Sequence, residues 1–268
     1  MYCTTVREFL CLYIYSNTKT YTNYNGIVIQ KEEYQRLQNL GFNEKEIRYM
    51  TNDEFENNKN LEGEVVSTNV IYSQTINGQE QIISEDEYEK PSVSLFGMQA
   101  GYIETGAKKM TTRIISVNGK YRYKVDLEWK YVPKVRSYDI IGIGIESNVK
   151  IASDIYFQQN YCYSETNCSS SIVSAKKSTQ TGGAASFKIP SSDITTLSSY
   201  LYFDVEKNSS LTINELKAYG DYSHATKSIT ESNVQRYSIK LDGIFLEDAV
   251  SDYYDAIKCA TAVWTGSW

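Results

Sequence analysis

The sequence predicts a mainly β protein, an antiparallel β-sandwich with a small N-terminal helical segment, and three observations support this prediction. Apolar and charged residues alternate along 120–130, turn dipeptides separate several other apolar runs, and helix-capping residues follow one another between 30 and 58. Alternating side chains point to opposite faces of a strand, whereas a helix would spread them around its axis. A chain of 268 residues is long enough for one large all-β domain with a small appendage.

The strand at 120–130 is expected to form one arm of a hairpin. Asn118 and Gly119, just before it, both tolerate the positive φ of a two-residue type I′ turn. Such a turn pairs Ile114 with Tyr123 and places the apolar side chains of both strands on one face.

The opposite face of this hairpin carries charges. The same register places Arg113 opposite Lys124, a like-charge pair that Asp126 can relieve from the diagonal position. We therefore predict an antiparallel hairpin with one apolar face and one solvated face.

Further strands are expected on both sides of this hairpin. A second hairpin is predicted over 70–83 about Asn77-Gly78, and the acidic run 84–90 after it is interpreted as a solvated linker. The apolar segment 93–103 is interpreted as a strand that leads into the central hairpin. Residues 138–145 read as a buried central strand, in which Gly142 and Gly144 leave room for a closely packed neighbour.

The last third of the chain gives three more expectations. Residues 200–205 are predicted to pair with 211–216, and Asp242-Gly243 is predicted to begin the turn of a hairpin that joins 234–241 to 244–246. The tail from 249 to 264 has apolar residues at mixed spacings, which we interpret as a short helix.

The segment from Gln30 onward has helical character. Gly41 stands where a glycine would end a first helix, and Asn43 with Glu46, like Thr51 with Glu54, has the spacing of a helix cap. We divide the chain accordingly into an N-terminal arm or export remnant, a short helical segment, a hairpin with an acidic linker, and the β-sandwich domain with a C-terminal tail. These four parts span residues 1–29, 30–60, 61–91 and 92–268.

Charge and composition exclude some kinds of partner. The 33 acidic and 27 basic residues give a net charge of -6, and no basic run exceeds two residues, so nucleic acid is not an expected partner. No stretch reaches the roughly 20 apolar residues of a membrane-spanning helix. The 24 tyrosines suit half-buried sheet faces and contact surfaces, because each has an apolar ring and a polar tip.

Two of the five cysteines are close in sequence. Cys162 and Cys168 bracket a short polar loop, so they can close a disulfide across a turn if the geometry allows. Cys3, Cys11 and Cys259 have no readable pairing.

The string LGFNEKEIRYMTNDEF at 40–55, followed by a Tyr- and Thr-rich β region, resembles uncharacterised extracellular proteins of low-GC Gram-positive bacteria. The resemblance implies an extracellular or cell-surface location. It implies no activity and no site residues.

The candidate catalytic residues give little support for an enzyme. His224 is the single histidine and lies in no nucleophile motif, so a structural role is expected. Asp126 and Glu128 share a strand face at a spacing compatible with a glycosidase pair, but alternating bases favour a charge-balanced surface. Neither a catalytic residue, a metal site nor a cofactor is predicted, and the acids of the last hairpin and tail are interpreted as surface residues: Asp242, Glu247, Asp248, Asp252 and Asp255.

The function favoured by the sequence is that of a non-enzymatic secreted or surface protein, whose aromatic-rich β scaffold binds a protein or a glycan. The predicted contact residues are Tyr161, Tyr163, Tyr253, Tyr254, Trp264 and Trp268. One alternative is a pore-forming or bacteriocin-like toxin, in which the Ser-, Thr- and Gly-rich segment 169–189 is a mobile hairpin that contacts a membrane. The imperfect alternation and thin apolar face of that segment favour a flexible surface excursion instead. Another alternative is a glycan-acting hydrolase on a β scaffold.

Overall fold

The chain forms two compact units, Met1–Val65 and Val66–Trp268, in a computed structural model that describes residues 20–76, 79–90 and 104–268. The predicted mainly β, antiparallel class is confirmed. The expected strand at 93–103 lies outside the described residues.

The first unit is built by helix caps and by a short β-ribbon. Its elements are β1 (Thr20–Thr22), β2 (Val28–Gln30), α1 (Lys31–Asn39), α2 (Glu44–Tyr49) and α3 (Asn52–Asn58). The predicted caps are confirmed, because Asn43 accepts a hydrogen bond from the Glu46 amide and Thr51 accepts one from the Glu54 amide. Gly41 ends α1 with a φ of 77°.

Residues 20–29 were expected to belong to an N-terminal arm or export remnant, and the structure differs from this interpretation. They form the β1–β2 ribbon, and the Nδ2 of Asn23 donates to the Met50 carbonyl at 2.9 Å and to the Ile47 carbonyl at 3.3 Å. A polar side chain holds the ribbon in place, so apolar periodicity gave no sign of it. The unit's buried apolar residues include Ile29, Tyr34, Leu37, Leu40, Phe42, Ile47, Tyr49, Met50 and Phe55.

The second unit contains the remaining elements. The strands are β3 (Gly63–Ile76), which begins in the first unit, β4 (Gln79–Ile83), β5 (Glu104–Val117), β6 (Lys120–Trp129), β7 (Tyr138–Ile145), β8 (Val149–Ile151), β9 (Tyr156–Cys162), β10 (Cys168–Ser171), β11 (Ala175–Thr179), β12 (Gly182–Lys188), β13 (Thr196–Lys207), β14 (Glu215–Ala225), β15 (Tyr237–Lys240), β16 (Gly243–Leu246) and β17 (Tyr254–Thr265). The helices are α4 (Glu85–Glu89), α5 (Glu231–Val234) and α6 (Asp248–Ser251).

These strands form two large sheets. The larger has the order β10-β9-β13-β6-β5-β3-β4, with β8 added to β13, and the smaller has the order β11-β12-β7-β14-β17. β15 and β16 form a separate ribbon. The apolar side chains of β6, β7, β13 and β14 pack into one core cluster between the sheets, as expected of a sandwich. The hairpin β3–β4 joins the larger sheet, so that sheet begins before residue 92.

The central hairpin is confirmed in its register. β5 and β6 pair Ile114 with Tyr123 and Met110 with Leu127. Asn118 and Gly119 have φ values of 48° and 79°, as a type I′ turn requires.

The charged face of this hairpin is buried, so the prediction of a solvated face is wrong. Lys124 is 0% exposed, and Asp126 accepts from both Lys124 and Arg113, which confirms the expected diagonal relief. The ammonium of Lys124 lies 5.0 Å from the ring centroid of Tyr200 on β13. Charges that alternate along one strand can thus be covered by pairing and by neighbouring tyrosines, which a single strand's pattern does not reveal.

The glycines of β7 provide the predicted close approach. A Cβ on Gly142 would lie 2.8 Å from the Cβ of Ala184, and one on Gly144 would lie 2.6 Å from the Leu241 carbonyl oxygen. The residues pressed against β7 belong to β12 and to the turn of the β15–β16 hairpin, a hairpin that was itself predicted.

The segment 169–189 is neither a flexible excursion nor a mobile hairpin. β12 is an internal strand between β11 and β7, and its residues 182–187 are buried. A Cβ on Gly183 would meet Ile155 and Phe203 at 2.8 and 2.9 Å, so small residues are required by packing at this position.

The structure differs from three other predictions about secondary structure. The segments 200–205 and 211–216 do not pair, because β13 belongs to the larger sheet and β14 to the smaller. The acidic run was interpreted as a solvated linker; its residues are exposed except for Tyr88, but it forms α4 behind a capping box at Ser84 and Glu87. The tail forms β17, which pairs with β14 along most of its length.

Candidate functional site

A groove of about 510 Å³ lies at one side of the sandwich, where the edge strands β10 and β11 of the two sheets approach each other. We call it the edge groove. It is lined by Tyr138, Gln159, Tyr161, Ser171, Val173, Ser174, Ser186, Lys188, Ile189, Pro190, Ser191 and Glu231.

A disulfide and a short connection between strands position two walls of the edge groove. The turn between β9 and β10 is closed by the disulfide Cys162–Cys168, whose Cα atoms are 3.9 Å apart, as predicted. Cys162 and Cys168 are cross-strand partners, and their bond fixes the end of the hairpin that carries Tyr161. The chain then crosses from β10 to β11 through residues 172–174, a connection that we call the rim, and Val173 and Ser174 of this connection line the groove.

The rim is apolar where it meets solvent. Ile172 is 54% exposed and Val173 is 81% exposed, the highest exposure of any large apolar side chain among the described residues. Ser171 and Ser174 flank them and are half-buried. Exposed adjacent aliphatic residues are characteristic of contact surfaces.

The floor and the far wall are polar and aromatic. Gln159 is 2% exposed, and its Nε2 donates to the Lys188 carbonyl at 3.4 Å. The ammonium of Lys188 lies 5.9 Å from the ring centroid of Tyr138, and Glu231 is exposed on the same groove. The groove therefore offers one cation, one anion, two phenol rings and several hydroxyl groups.

The six predicted contact residues fall into three places. Tyr161 lines the edge groove, and its ring packs edge-on against Tyr163 at 5.7 Å, so these two residues lie together. Tyr254 is half-buried and donates its hydroxyl to the Tyr138 carbonyl at 3.2 Å, behind the groove, while the neighbouring Tyr253 remains 37% exposed.

The tryptophans lie elsewhere. Trp264 and Trp268 pack on the ring of Tyr121, with centroids 5.0 and 4.8 Å away. β17 separates Trp264 from Tyr254 by ten residues, about 33 Å of extended chain. Both tryptophans are half-buried and pack against the core cluster.

His224 lies inside the sandwich and does not line the edge groove. It is 0% exposed, its Nδ1 lies 3.0 Å from Asp139 Oδ2, and its ring packs edge-on against Trp129 at 4.9 Å. Asp139 also accepts from the Tyr222 hydroxyl and from the Ala225 amide.

The environment of Tyr222 is apolar and anionic. Burial raises the pKa of its hydroxyl well above the usual value, and the neighbouring Asp139 carboxylate acts in the same direction. The phenol therefore stays protonated and donates to Asp139, which gives the cluster a structural role.

The described residues contain neither a metal-binding group nor a membrane-spanning helix. They contain no group of three His, Cys, Asp or Glu side chains placed to hold a metal ion. Within 20–76, 79–90 and 104–268 no helix has the length and apolarity needed to cross a membrane.

The disulfide beside the edge groove is expected to stabilise the second unit. Changing both Cys162 and Cys168 to serine should lower the free energy of unfolding by about 2 kcal/mol, because the closed loop is short and its constraint on the unfolded chain is modest. Urea unfolding followed by tryptophan fluorescence measures this loss. The reduced parent protein is the control, and it should match the double variant; an unchanged unfolding midpoint in both would contradict the prediction.

The fold and the groove can be compared with known proteins. Neither a protein-family model nor a curated protein matches the sequence. Among solved structures, the chain is similar to the collagen-binding domain of the surface protein RspB of Erysipelothrix rhusiopathiae, with 6% identity and a TM-score of 0.29. This likeness covers 60% of the chain and 66% of that domain. The chain is also similar to a structure of manganese lipoxygenase of Gaeumannomyces graminis with a partial zonadhesin of Komagataella pastoris, with 9% identity, a TM-score of 0.24, and coverage of 77% of the chain and 90% of that chain.

Proposed function

We propose that this is a non-enzymatic secreted or cell-surface protein that binds a protein partner at the edge groove. The observation that carries the proposal is the exposed pair Ile172 and Val173, which follows the end of the edge strand β10. Val173 lines the edge groove together with Tyr161. An apolar rim next to aromatic and hydroxyl groups is a favourable composition for a protein contact.

An extended peptide is the expected form of the contact. β10 pairs only with β9 among the described strands, so its other edge presents backbone amides and carbonyls along residues 168–171. A segment added to this edge would gain main-chain hydrogen bonds, and its side chains would reach the groove. Lys188 and Glu231 would then orient a segment with charges of both signs.

A glycan is the second candidate partner. Tyr138 and Tyr161 present rings to one groove, and Gln159 and the groove serines supply hydrogen-bonding groups beside them. Sugar rings bind through this combination of apolar faces and polar groups. The apolar rim at Val173 has no role in such a contact, and this favours the protein partner.

An oxidising compartment fits the disulfide at the groove. Stable disulfides are characteristic of secreted and surface proteins, while cytosolic thiols stay reduced. Cys162–Cys168 thus supports an extracellular or cell-surface location.

The two alternative functions would each require a change in this structure. Membrane insertion would require β12 to leave its place between β11 and β7 in the smaller sheet. A hydrolase would require a free acid pair, whereas Asp126 is bound by Lys124 and Arg113.

Val173→Ser should weaken binding of the protein partner about tenfold, because burying a valine side chain contributes about 1.5 kcal/mol. The measurement is binding of labelled protein to a peptide array of extracellular protein sequences, followed by titration of the best peptides. A glycan array is probed in parallel.

Leu211→Ser is the matched control. Leu211 is 72% exposed, and it follows Lys207, the end of β13 that is remote from the pairing of Thr196 with Cys162. Its replacement should leave peptide affinity unchanged. Equal loss in both variants would contradict the edge groove as the contact, and binding confined to the glycan array would replace the protein partner with a glycan.

A further inference from the structure

We propose that Lys108 and Asp255 condense to an intramolecular amide bond that ties the two sheets together. Lys108 lies on β5 of the larger sheet, and Asp255 lies near the start of β17 in the smaller sheet. The Nζ of Lys108 is 3.4 Å from Oδ2 of Asp255, and both side chains are 0% exposed. The inference does not depend on the partner bound at the edge groove.

The third participant is a carboxylate from a third strand. Glu80 on β4 places Oε2 2.8 Å from the Nζ of Lys108, and its side chain is 11% exposed. One amine therefore contacts two carboxyl groups, and the three charges sum to −1 inside the sandwich. Asp255 was expected at the surface, and the structure corrects this.

Aromatic rings enclose the amine. The Nζ of Lys108 lies 5.0 Å from the ring centroid of Trp129 and 5.8 Å from that of Tyr222. Asp255 is the cross-strand partner of His224, whose ring packs on Trp129. The rings of Trp129 and Tyr222 therefore lie around the amine and separate it from bulk water.

The proposed reaction uses the neutral forms of the two partners. A proton passes first from the ammonium of Lys108 to the carboxylate of Asp255, which leaves a neutral amine and a neutral carboxylic acid in contact. A neutral amine is a nucleophile, and a neutral carboxylic acid is a better acceptor than a carboxylate.

The step balances without a co-reactant. The nitrogen of Lys108 forms a bond to Cγ of Asp255, Glu80 accepts a proton from that nitrogen, and the same proton is returned to the hydroxyl group that departs. One C–N bond forms, one C–O bond breaks, and one water molecule is released. No atom is oxidised or reduced.

The position of the bond gives it a mechanical consequence. β17 is an edge strand that pairs only with β14 among the described strands of its sheet, and it packs on β5. A covalent link from Lys108 to Asp255 would close a loop of most of the second unit and prevent β17 from peeling away. A protein that resists pulling or proteolysis outside the cell would benefit from such a link.

The test is the intact mass of the full-length protein after reduction and denaturation. The expected mass is lower than that of the sequence by one water molecule, and proteolysis should release a branched peptide that joins the segments around Lys108 and Asp255. A full-sequence mass in the natively folded parent would overturn the proposal, as would a water loss that maps to another pair of residues.

Variants test the assigned roles. Lys108→Arg keeps the positive charge but lacks the primary amine, so its mass should equal that of its sequence. Lys109→Arg changes the adjacent lysine, whose Nζ lies over the ring of Tyr72, and it should retain the water loss. Glu80→Gln lacks the carboxylate that transfers the proton, so protein without the amide bond, with the full mass of its sequence, should accumulate. Persistence of the water loss in Lys108→Arg would also overturn the proposal.

Discussion

Replacing Asp139 with alanine is expected to lower the free energy of unfolding by about 3 to 5 kcal/mol, the largest effect we predict for a single substitution. Its carboxylate accepts from the hydroxyl of Tyr222 and the amide of Ala225 and contacts the Nδ1 of His224, and all of these groups are buried. Removal of the carboxylate leaves these buried groups without their acceptor. A buried polar group that loses its hydrogen-bond partner costs more free energy than the hydrogen bond itself contributes.

Urea unfolding followed by tryptophan fluorescence is the appropriate measurement, since the ring of Trp129 lies 4.9 Å from that of His224 and reports on this cluster. Asp154→Ala is the matched control, because Asp154 is exposed on a loop of the same unit, and its free energy of unfolding should change by less than about 0.5 kcal/mol. Asp139→Asn keeps the shape of the side chain and should fall between the two. If Asp139→Ala unfolds at the parent's midpoint, the cluster contributes nothing to stability.

Local signals in the sequence predicted the elements that local physics determines. The register of β5 and β6 follows from the turn at Asn118-Gly119 together with the alternation beyond it. The caps at Asn43 and Thr51 and the stop at Gly41 likewise depend on residues within one helical turn. In each case the residues that specify the structure are close neighbours in the chain.

The assignment of strands to sheets depends on distant residues and was missed. β13 and β14 are consecutive along the chain, but the connection at 208–214 carries the chain from one sheet to the other. Five polar residues between two apolar runs are equally compatible with a hairpin and with this crossing. β17 has a thin buried face of Ala260 and Ala262, and becomes a strand because β14 offers it an edge.

The candidate sites show the same limit. Tyr161 was predicted as a contact residue and lines the edge groove, but the groove also needs Tyr138 and Glu231, which are far from it in sequence. Lys108 and Asp255 are 147 residues apart, and each reads as an ordinary surface charge in its own segment. Burial of a charge is decided by what packs on it, and sequence alone provides no such information for strands from different sheets.

Gly144→Ala is expected to cost about 3 kcal/mol of the free energy of unfolding, although it adds one methyl group. The new Cβ would lie 2.6 Å from the carbonyl oxygen of Leu241 and 2.8 Å from that of Lys240. These are backbone atoms of the β15–β16 turn, and they cannot move aside as a flexible side chain would, so the turn must separate from β7. Differential scanning calorimetry should show a lower Tm.

Ser178→Ala provides the control for this change. Ser178 is exposed on the edge strand β11 of the same sheet, and replacing it should leave the free energy of unfolding within about 0.5 kcal/mol of the parent value. Hydrogen exchange adds a positional readout, because the amides of β15 and β16 should lose protection in Gly144→Ala before those of β5 and β6. An unchanged Tm, or uniform loss of protection over both sheets, would show that the close packing of this turn on β7 does not hold the ribbon in place.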